Sequence, residues 1–316
     1  MNHPILPISL IVTCFNEVSN VAGWCKSLLD MDAFPSEVIV SDSDSTDNTV
    51  NELRKHLEGH GFDLVILGGR CSISEGRNKA IAHARFERLA ITDFGVTFGR
   101  EWLSALNESL EDSDWVGGCY TMVWRNSVQR AYCRLFDVDS SRLDEQSFLP
   151  SSRSFAITKS AFHSAGGYDT SLLLGEDTDL VLRLRTMPLR YRLERKAVVF
   201  WLPRDSFGAI YLQNYRYAYW DGRAQQSPGR WLHLLFWLVV TLIPVVFLVG
   251  TPLLVSLNSF AGAVALLYAK ASRNTLRGSS QSWARPMDML TYYIATSGSV
   301  FGYVLGTLAR LLVKNA

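Results

Sequence analysis

The chain has 316 residues, 48 % of them hydrophobic and only 19 % charged, and its 31 basic and 30 acidic groups leave a net charge of +1. A charged fraction below the ~25 % usual for soluble domains argues against intrinsic disorder, and the balanced charge against a basic nucleic-acid-binding surface. The length suits one large or two modest domains. Charge is unevenly spread: residues 231–316 carry six basic groups against Asp288 alone, whereas residues 1–230 hold 25 basic and 29 acidic groups. The five cysteines (Cys14, Cys25, Cys71, Cys119, Cys133) are odd in number and form no C-x-x-C pair, which argues for a reducing compartment over a disulfide framework or zinc ribbon.

Met1 to Phe15 has no Lys or Arg and no small-residue cleavage site, so its apolar part reads as a buried first strand, not a signal peptide. That strand spans Ile8–Cys14, and helical spacing follows over Val18–Asp30. Glu37–Ser41 is a second strand, closed by the turn Asp42–Asp47, in which Asp47 reads as a turn former. Thr49–His60 is a helix with Val50, Leu53 and Leu57 on one face. Asp63–Leu67 is the third strand. Ser72-Ile73-Ser74-Glu75 matches the S-x-x-E capping box and opens a helix. Arg88–Thr92 is the fourth strand and stops at Asp93. Four alternations of strand and helix predict a mostly parallel sheet with helices on both faces.

Further along, Glu176 and Asp177 follow Gly166-Gly167-Tyr168 and open a helix over Asp177–Arg185, where Asp179 reads as an i,i+4 partner of Arg183. Tyr211, Tyr215 and Tyr219 recur at four-residue spacing, as either core or interfacial rings. Trp231–Ala269 lacks Asp, Glu, Lys and Arg throughout. As one helix it would be about 58 Å long, against a hydrocarbon core of about 30 Å. Two crossings fit, turning at Gly250-Thr251-Pro252 into arms Trp231–Val249 and Leu253–Ala269, with both ends on the basic, cytoplasmic side. Met289–Ala309 reads as an interfacial or hairpin-packed helix in preference to a third span.

Polar residues gather after the strands: Asn16 and Glu17 after the first, Asp42 and Asp44 after the second, Asp93 after the fourth. In an open parallel sheet these ends share one edge, where such folds bind ligands. Three acidic groups converging there suggest a cation, or a hydroxyl-rich ligand whose phosphates need a bridging metal.

The runs Val12-Thr-Cys-Phe-Asn-Glu17, Val38-Ile-Val-Ser-Asp-Ser-Asp-Ser-Thr-Asp-Asn-Thr49, Gly76-Arg-Asn78, Thr92-Asp93 and Gly175-Glu-Asp-Thr-Asp-Leu180 occur in that order. Together they resemble a family 2 glycosyltransferase of the GT-A fold over residues 5–225, in the membrane-anchored bacterial type with Asp-x-Gly in place of Asp-x-Asp. The resemblance implies that Thr13, Phe15 and Glu17 contact base and ribose of a nucleotide-sugar. Asp42 hydrogen-bonds the base, preferring uracil or thymine (a UDP- or TDP-linked donor); Arg77, Asn78 and Asp93 complete the donor site with Asp44, which reads equally as a turn former. Asp93 would be the metal ligand for Mg²⁺ or Mn²⁺, although Gly95 removes the second carboxylate of the motif. Asp177 would be the general base and Glu176 its positioning partner. Arg153 and Arg204 are candidate diphosphate cations, and Gln213, Arg216 and Tyr217 resemble the Gln-x-x-Arg-Trp element of processive members, with Tyr in place of Trp.

The resulting expectation is an inverting glycosyltransferase acting on a membrane- or lipid-linked or glycan acceptor, in cell-envelope or exopolysaccharide synthesis, with no nucleic-acid partner. Its organisation would be a GT-A catalytic domain over 1–205, a juxtamembrane helix over 206–230, a transmembrane hairpin over 231–270, and a basic loop with a terminal helix over 271–316. It would be a multi-pass plasma (inner) membrane protein with a cytoplasmic catalytic domain. The competing classes are a membrane-tethered nucleotidyltransferase and an inactive nucleotide-sugar-binding subunit.

Overall fold

The computed structural model describes residues 3–224, 253–277 and 284–314. The chain divides into two compact units, Met1–Thr121 with Ser140–Leu202, and Met122–Asp139 with Pro203–Ala316.

The first unit is built on β1 (Ile5–Cys14), α1 (Val18–Leu29), β2 (Phe34–Asp42), α2 (Thr49–Leu57), β3 (Asp63–Leu67), α3 (Ile73–His83) and β4 (Arg88–Asp93). There follow β5 (Val96–Phe98), α4 (Trp102–Ser109), β6 (Trp115–Met122), β7 (Phe155–Thr158), α6 (Lys159–Ser164), α7 (Glu176–Arg185) and β8 (Tyr191–Trp201); α5 (Ser127–Phe136) belongs to the second unit. The eight strands form one sheet in the order β3-β2-β1-β4-β7-β6-β8-β5. Side chains alternate along each strand, so successive residues feed opposite faces. Leu10, Val12, Val38 and Val40 pack with Trp24, Leu53, Leu57 and Trp102. Ile11, Ile39, Leu89 and Ile91 pack with Ala80, Ile81, Phe162 and Leu180. Helices thus cover both faces. The capping box that opens α3 is formed: Glu75 N–H donates to Ser72 Oγ at 3.3 Å, and Ser72 N–H donates to Glu75 Oε2 at 2.7 Å.

The expected mostly parallel sheet is corrected to a mixed one. β1 runs parallel to β2 and β4, and β2 parallel to β3. Beyond β4 the β4–β7, β6–β7 and β5–β8 pairings are antiparallel. The later strands are obscure in the sequence for a physical reason. β6 carries Gly117 and Gly118, residues that weaken a strand yet are required here. A Cβ on Gly117 would lie 2.7 Å from Pro150, and one on Gly118 would lie 2.6 Å from the Ala197 carbonyl oxygen.

The second unit holds α5, α8 (Phe207–Ala224), α9 (Leu253–Arg277) and α10 (Pro286–Lys314). α8 and α10 run side by side with unusually close backbones. A Cβ on Gly298, Gly302 or Gly306 would overlap the carbonyl oxygen of Tyr211, Tyr215 or Tyr219 respectively. The constant offset of these pairs makes the two helices parallel. The three tyrosines stack along α8, with ring centroids 6.4 and 6.3 Å apart. α5 is joined to α10 by Arg134 Nε, which donates to Asp288 Oδ2 at 3.0 Å and Oδ1 at 3.2 Å.

The membrane expectation is corrected as well. Among the described residues no helix is long and apolar enough to cross a membrane. α9 contains the expected second arm but continues through Lys270, Arg273 and Arg277, and α10 contains 289–309 with its threonines, serines and glycines. This overturns the multi-pass plasma-membrane location. The expected first arm, Trp231–Val249, lies outside the described residues.

Candidate active site

Parallel register brings the strand ends together. Cys14 pairs with Asp42 across β1 and β2, and Thr13 pairs with Asp93 across β1 and β4. Asp42 is 4 % exposed. It accepts from Ser45 N–H at 3.0 Å, from Ser45 Oγ at 2.5 Å and from the Cys14 thiol at 3.3 Å. Burial, reinforced by Asp42, pushes the Cys14 thiol well above its ordinary pKa, so it remains a donor. Asn16 (φ 55°) links the loops after β1 and β2, accepting from Thr46 N–H at 2.8 Å while its own N–H donates to Ser45 Oγ at 2.8 Å.

Asp47 ties Val18 and Thr49, at the starts of α1 and α2, through their N–H groups at 3.1 and 3.0 Å. Asp44 accepts from Gly69 N–H at 2.8 Å. Glu17 accepts from Asn20 at 2.6 Å. Phe15 stands 57 % exposed at the end of β1, an aromatic face open to a planar ligand.

Deeper in, Arg77 of α3 is only 3 % exposed. Its Nη1 donates to Glu176 Oε1 at 2.6 Å and its Nη2 to Asp93 Oδ1 at 2.7 Å. The guanidinium also lies 5.2 Å from the centroid of the Tyr168 ring. Burial pushes the Glu176 carboxyl above its ordinary range and Asp177 adds to this, while Arg77 pulls it back. Neighbouring Asn78 uses both ends of its amide on the Tyr168 backbone, donating to its carbonyl at 2.8 Å and accepting from its N–H at 3.0 Å. Both side chains are thus engaged with residues of the fold.

Glu176 and Asp177 begin α7, whose N-cap Gly175 has φ 84°, a left-handed conformation suited to glycine. Asp177 Oδ2 accepts from Ser152 N–H at 3.4 Å, and Ser152 Oγ shares a 2.8 Å hydrogen bond with the Tyr168 hydroxyl. Ser152 and Tyr168 had not been anticipated; Gly166-Gly167 before Tyr168 was the available signal of a special turn. Arg153 stacks on Trp201 and Tyr120, at 4.7 and 5.7 Å from their centroids. Its carbonyl accepts from Thr92, beside Asp93, at 3.0 Å. The first unit therefore gathers Thr13, Phe15, Glu17, Asp42, Asp44, Arg77, Asn78, Asp93, Arg153, Glu176 and Asp177. Arg204, Gln213, Arg216 and Tyr217 belong to the second unit, the last three on α8.

No group of three or more His, Cys, Asp or Glu side chains among the described residues is arranged to hold a metal ion. Asp93 is the one motif carboxylate. Its Oδ1 is taken by Arg77, and its side chain is 35 % exposed. At Gly95 a Cβ would meet no atom of the described residues within 4 Å. This is open space beside a single carboxylate, which fits a hard dication held mainly by substrate phosphates and water.

A sheet with parallel strands ending in acidic groups, followed by an antiparallel half, is consistent with a GT-A-like fold. Residues 9–162 match the model of Glycosyl transferase family 2. A curated relative, poly-β-1,6-N-acetyl-D-glucosamine synthase of Staphylococcus epidermidis, is 20 % identical over 221 residues, covering 67 % of this chain and 53 % of the relative. The chain thus spans about half the length of the curated relatives it matches. Among solved structures, mannosyltransferase PcManGT from Pyrobaculum calidifontis, in complex with GDP-Man and Mn²⁺, superposes with a TM-score of 0.58 at 18 % identity, over 99 % of this chain and 88 % of that one. TarS 1–349 of S. aureus, in complex with UDP-GlcNAc, gives 0.52 at 16 %, over 98 % and 92 %. These likenesses show the fold.

Proposed function

We propose that the protein is an inverting glycosyltransferase moving a sugar from a nucleotide-diphosphate donor to a hydroxyl of a glycan, free or lipid-linked, in polysaccharide synthesis of the cell envelope. Asp177 takes the proton of the acceptor hydroxyl as its oxygen bonds to C1. The bond from C1 to the donor phosphate oxygen breaks, and the nucleoside diphosphate departs with that electron pair. Attack from the opposite face in one displacement inverts C1. Asp42 receives an imide N–H of the base, which favours uracil or thymine over cytosine, and Phe15, Thr13 and Glu17 border the base and ribose. Asp93 would hold Mg²⁺ or Mn²⁺, which when bound neutralises charge on the diphosphate. Arg153, stacked on Trp201 beside the β4 end, adds a fixed positive charge where the leaving group develops negative charge.

The observation that carries the reading is the convergence of Asp42, Asp93 and the Glu176-Asp177 helix start on one structural frame, with Arg77 joining the last two. The chemistry of the relatives is consistent with it, since they include a glycan synthase and proteins bound to GDP-Man or UDP-GlcNAc. The test is a donor screen on the purified chain with and without EDTA, reading nucleoside diphosphate. Release from a UDP- or TDP-sugar, reduced by EDTA, is expected. Release of pyrophosphate instead would assign a nucleotidyltransferase, and binding without turnover an inactive subunit.

A further inference from the structure

Arg77 is the most enclosed cation of the site, and its surroundings assign it a part other than holding nucleotide. We propose that Arg77 is a positioning residue for the transfer step: its guanidinium sets the separation of the donor-side carboxylate Asp93 from the start of α7, which presents Asp177 to the acceptor. The inference rests on the transfer reaction proposed above.

The two partners of Arg77 are 16 and 99 residues away in sequence, at the end of β4 and the start of α7. Each takes a separate nitrogen of one planar fork, a geometry that an ammonium group cannot reproduce. The fork is itself held. Gly76 seats α3 against the sheet, where an added Cβ would lie 3.0 Å from Thr13, 3.1 Å from Ser41 and 3.3 Å from Cys71. On the other side, Asn78 grips the Tyr168 backbone, and the Tyr168 ring lies over the guanidinium. The Tyr168 hydroxyl then reaches Ser152, whose N–H points at Asp177. Three consecutive residues of α3 thus set the sheet edge, the carboxylate pair and the turn behind the base. Electrostatics agrees: without Arg77, the carboxylates of Asp93 and Glu176 would face one another with no intervening charge. A reacting group displaced by about 1 Å can cost about 100-fold in rate.

The test is Arg77→Lys, which keeps the charge but not the fork. Steady-state kinetics with the best donor are paired with calorimetric binding of the nucleoside diphosphate. The expected result is kcat lower by about 10- to 100-fold, with the donor KM and the diphosphate Kd within about threefold of the parent and the thermal transition still cooperative. A kcat within threefold of the parent would overturn the proposal. So would a large rise in KM and Kd with kcat preserved, since Arg77 would then be a nucleotide contact. Should Arg77→Lys not fold, the pair Arg77→Gln with Glu176→Gln leaves no buried carboxylate unpaired there and is read by the same criteria. A parent enzyme that transfers from no donor would overturn the reaction and this role together, whereas an active parent indifferent to Arg77 overturns the role alone.

Discussion

Asp177 and Asp42 show what a single residue discloses about itself. Both sit where the chain leaves or enters a regular element, and such positions are local properties of the sequence. Asp177→Asn preserves the shape of the side chain and removes its basicity. Turnover is expected to fall by two decades or more, within the range of general-base effects, with donor binding nearly unchanged. Arg77 and Asn78 were harder to read because their partners lie up to 99 and 90 residues away, and nothing in Gly76-Arg77-Asn78 names them. Glu37, equally silent in the sequence, is the buried carboxylate at the opposite end of β2. It accepts from Ser9 at 2.6 Å and from Arg85 N–H and Nε at 2.7 Å each. Burial opposes its ionisation, yet these donors together hold its carboxyl below the ordinary 4.5. The unfolded chain therefore protonates Glu37 at a higher pH than the folded one. Its contribution is complete above about pH 4.5 and is lost as pH falls through the native value. Glu37→Gln should cost about 1.5–3 kcal/mol at pH 7. In urea melts taken at successive pH values, the gap from the parent should narrow below pH 4.5; a constant gap would contradict the assignment.

At the scale of elements, legibility followed local signals. β1 to β4 and α1 to α3 announce themselves through β-branched runs, one-sided apolar spacing and the Ser72 capping box. β6 and β7 do not, since one contains two glycines demanded by tertiary contacts and the other has four residues. The tyrosine stripe of α8 was readable as a stripe, but its meaning required α10. The glycines of α10 meet the backbone of α8 while the rings stack along it, so close approach is the reason for both patterns. Glycine substitutions should therefore have opposite signs within one unit. Gly302→Ala places a Cβ against the Tyr215 carbonyl and should destabilise by about 1–3 kcal/mol. Gly262→Ala, in the middle of α9 with no described atom within 4 Å of its Cβ, should stabilise by up to about 1 kcal/mol. Thermal melts of the two variants decide it. Equal and opposite signs to those expected would mean that α8 and α10 are not packed through this stripe.

Across the whole molecule, the sequence made the chemical edge easier to see than the molecule's divisions. The acidic strand ends follow from alternation of strand and helix, whereas residues 122–139 leave the first unit and join the helical second one. Hydropathy alone suggested a span over Leu253–Ala269, but α9 continues through Lys270, Arg273 and Arg277, and no helix among the described residues is long and apolar enough to cross a membrane. Losing the second motif carboxylate has a consequence for the complete enzyme. With Gly95 in that place, a dication held as proposed would have Asp93 as its protein carboxylate and would draw its remaining oxygens from the donor diphosphate and water. Cation and nucleotide binding should then be strongly linked: the nucleoside diphosphate should bind more tightly with Mn²⁺ present, and Mn²⁺ weakly without it. By reciprocity the two enhancements must be equal. Asp93→Asn should reduce the enhancement at least tenfold, about 1.4 kcal/mol, while leaving cation-free nucleotide affinity nearly as it was. Calorimetric titrations of diphosphate with Mn²⁺ or EDTA, on parent and variant, measure both legs of this cycle. Tight Mn²⁺ binding by the nucleotide-free parent would require further protein ligands and would refute a site centred on Asp93 alone.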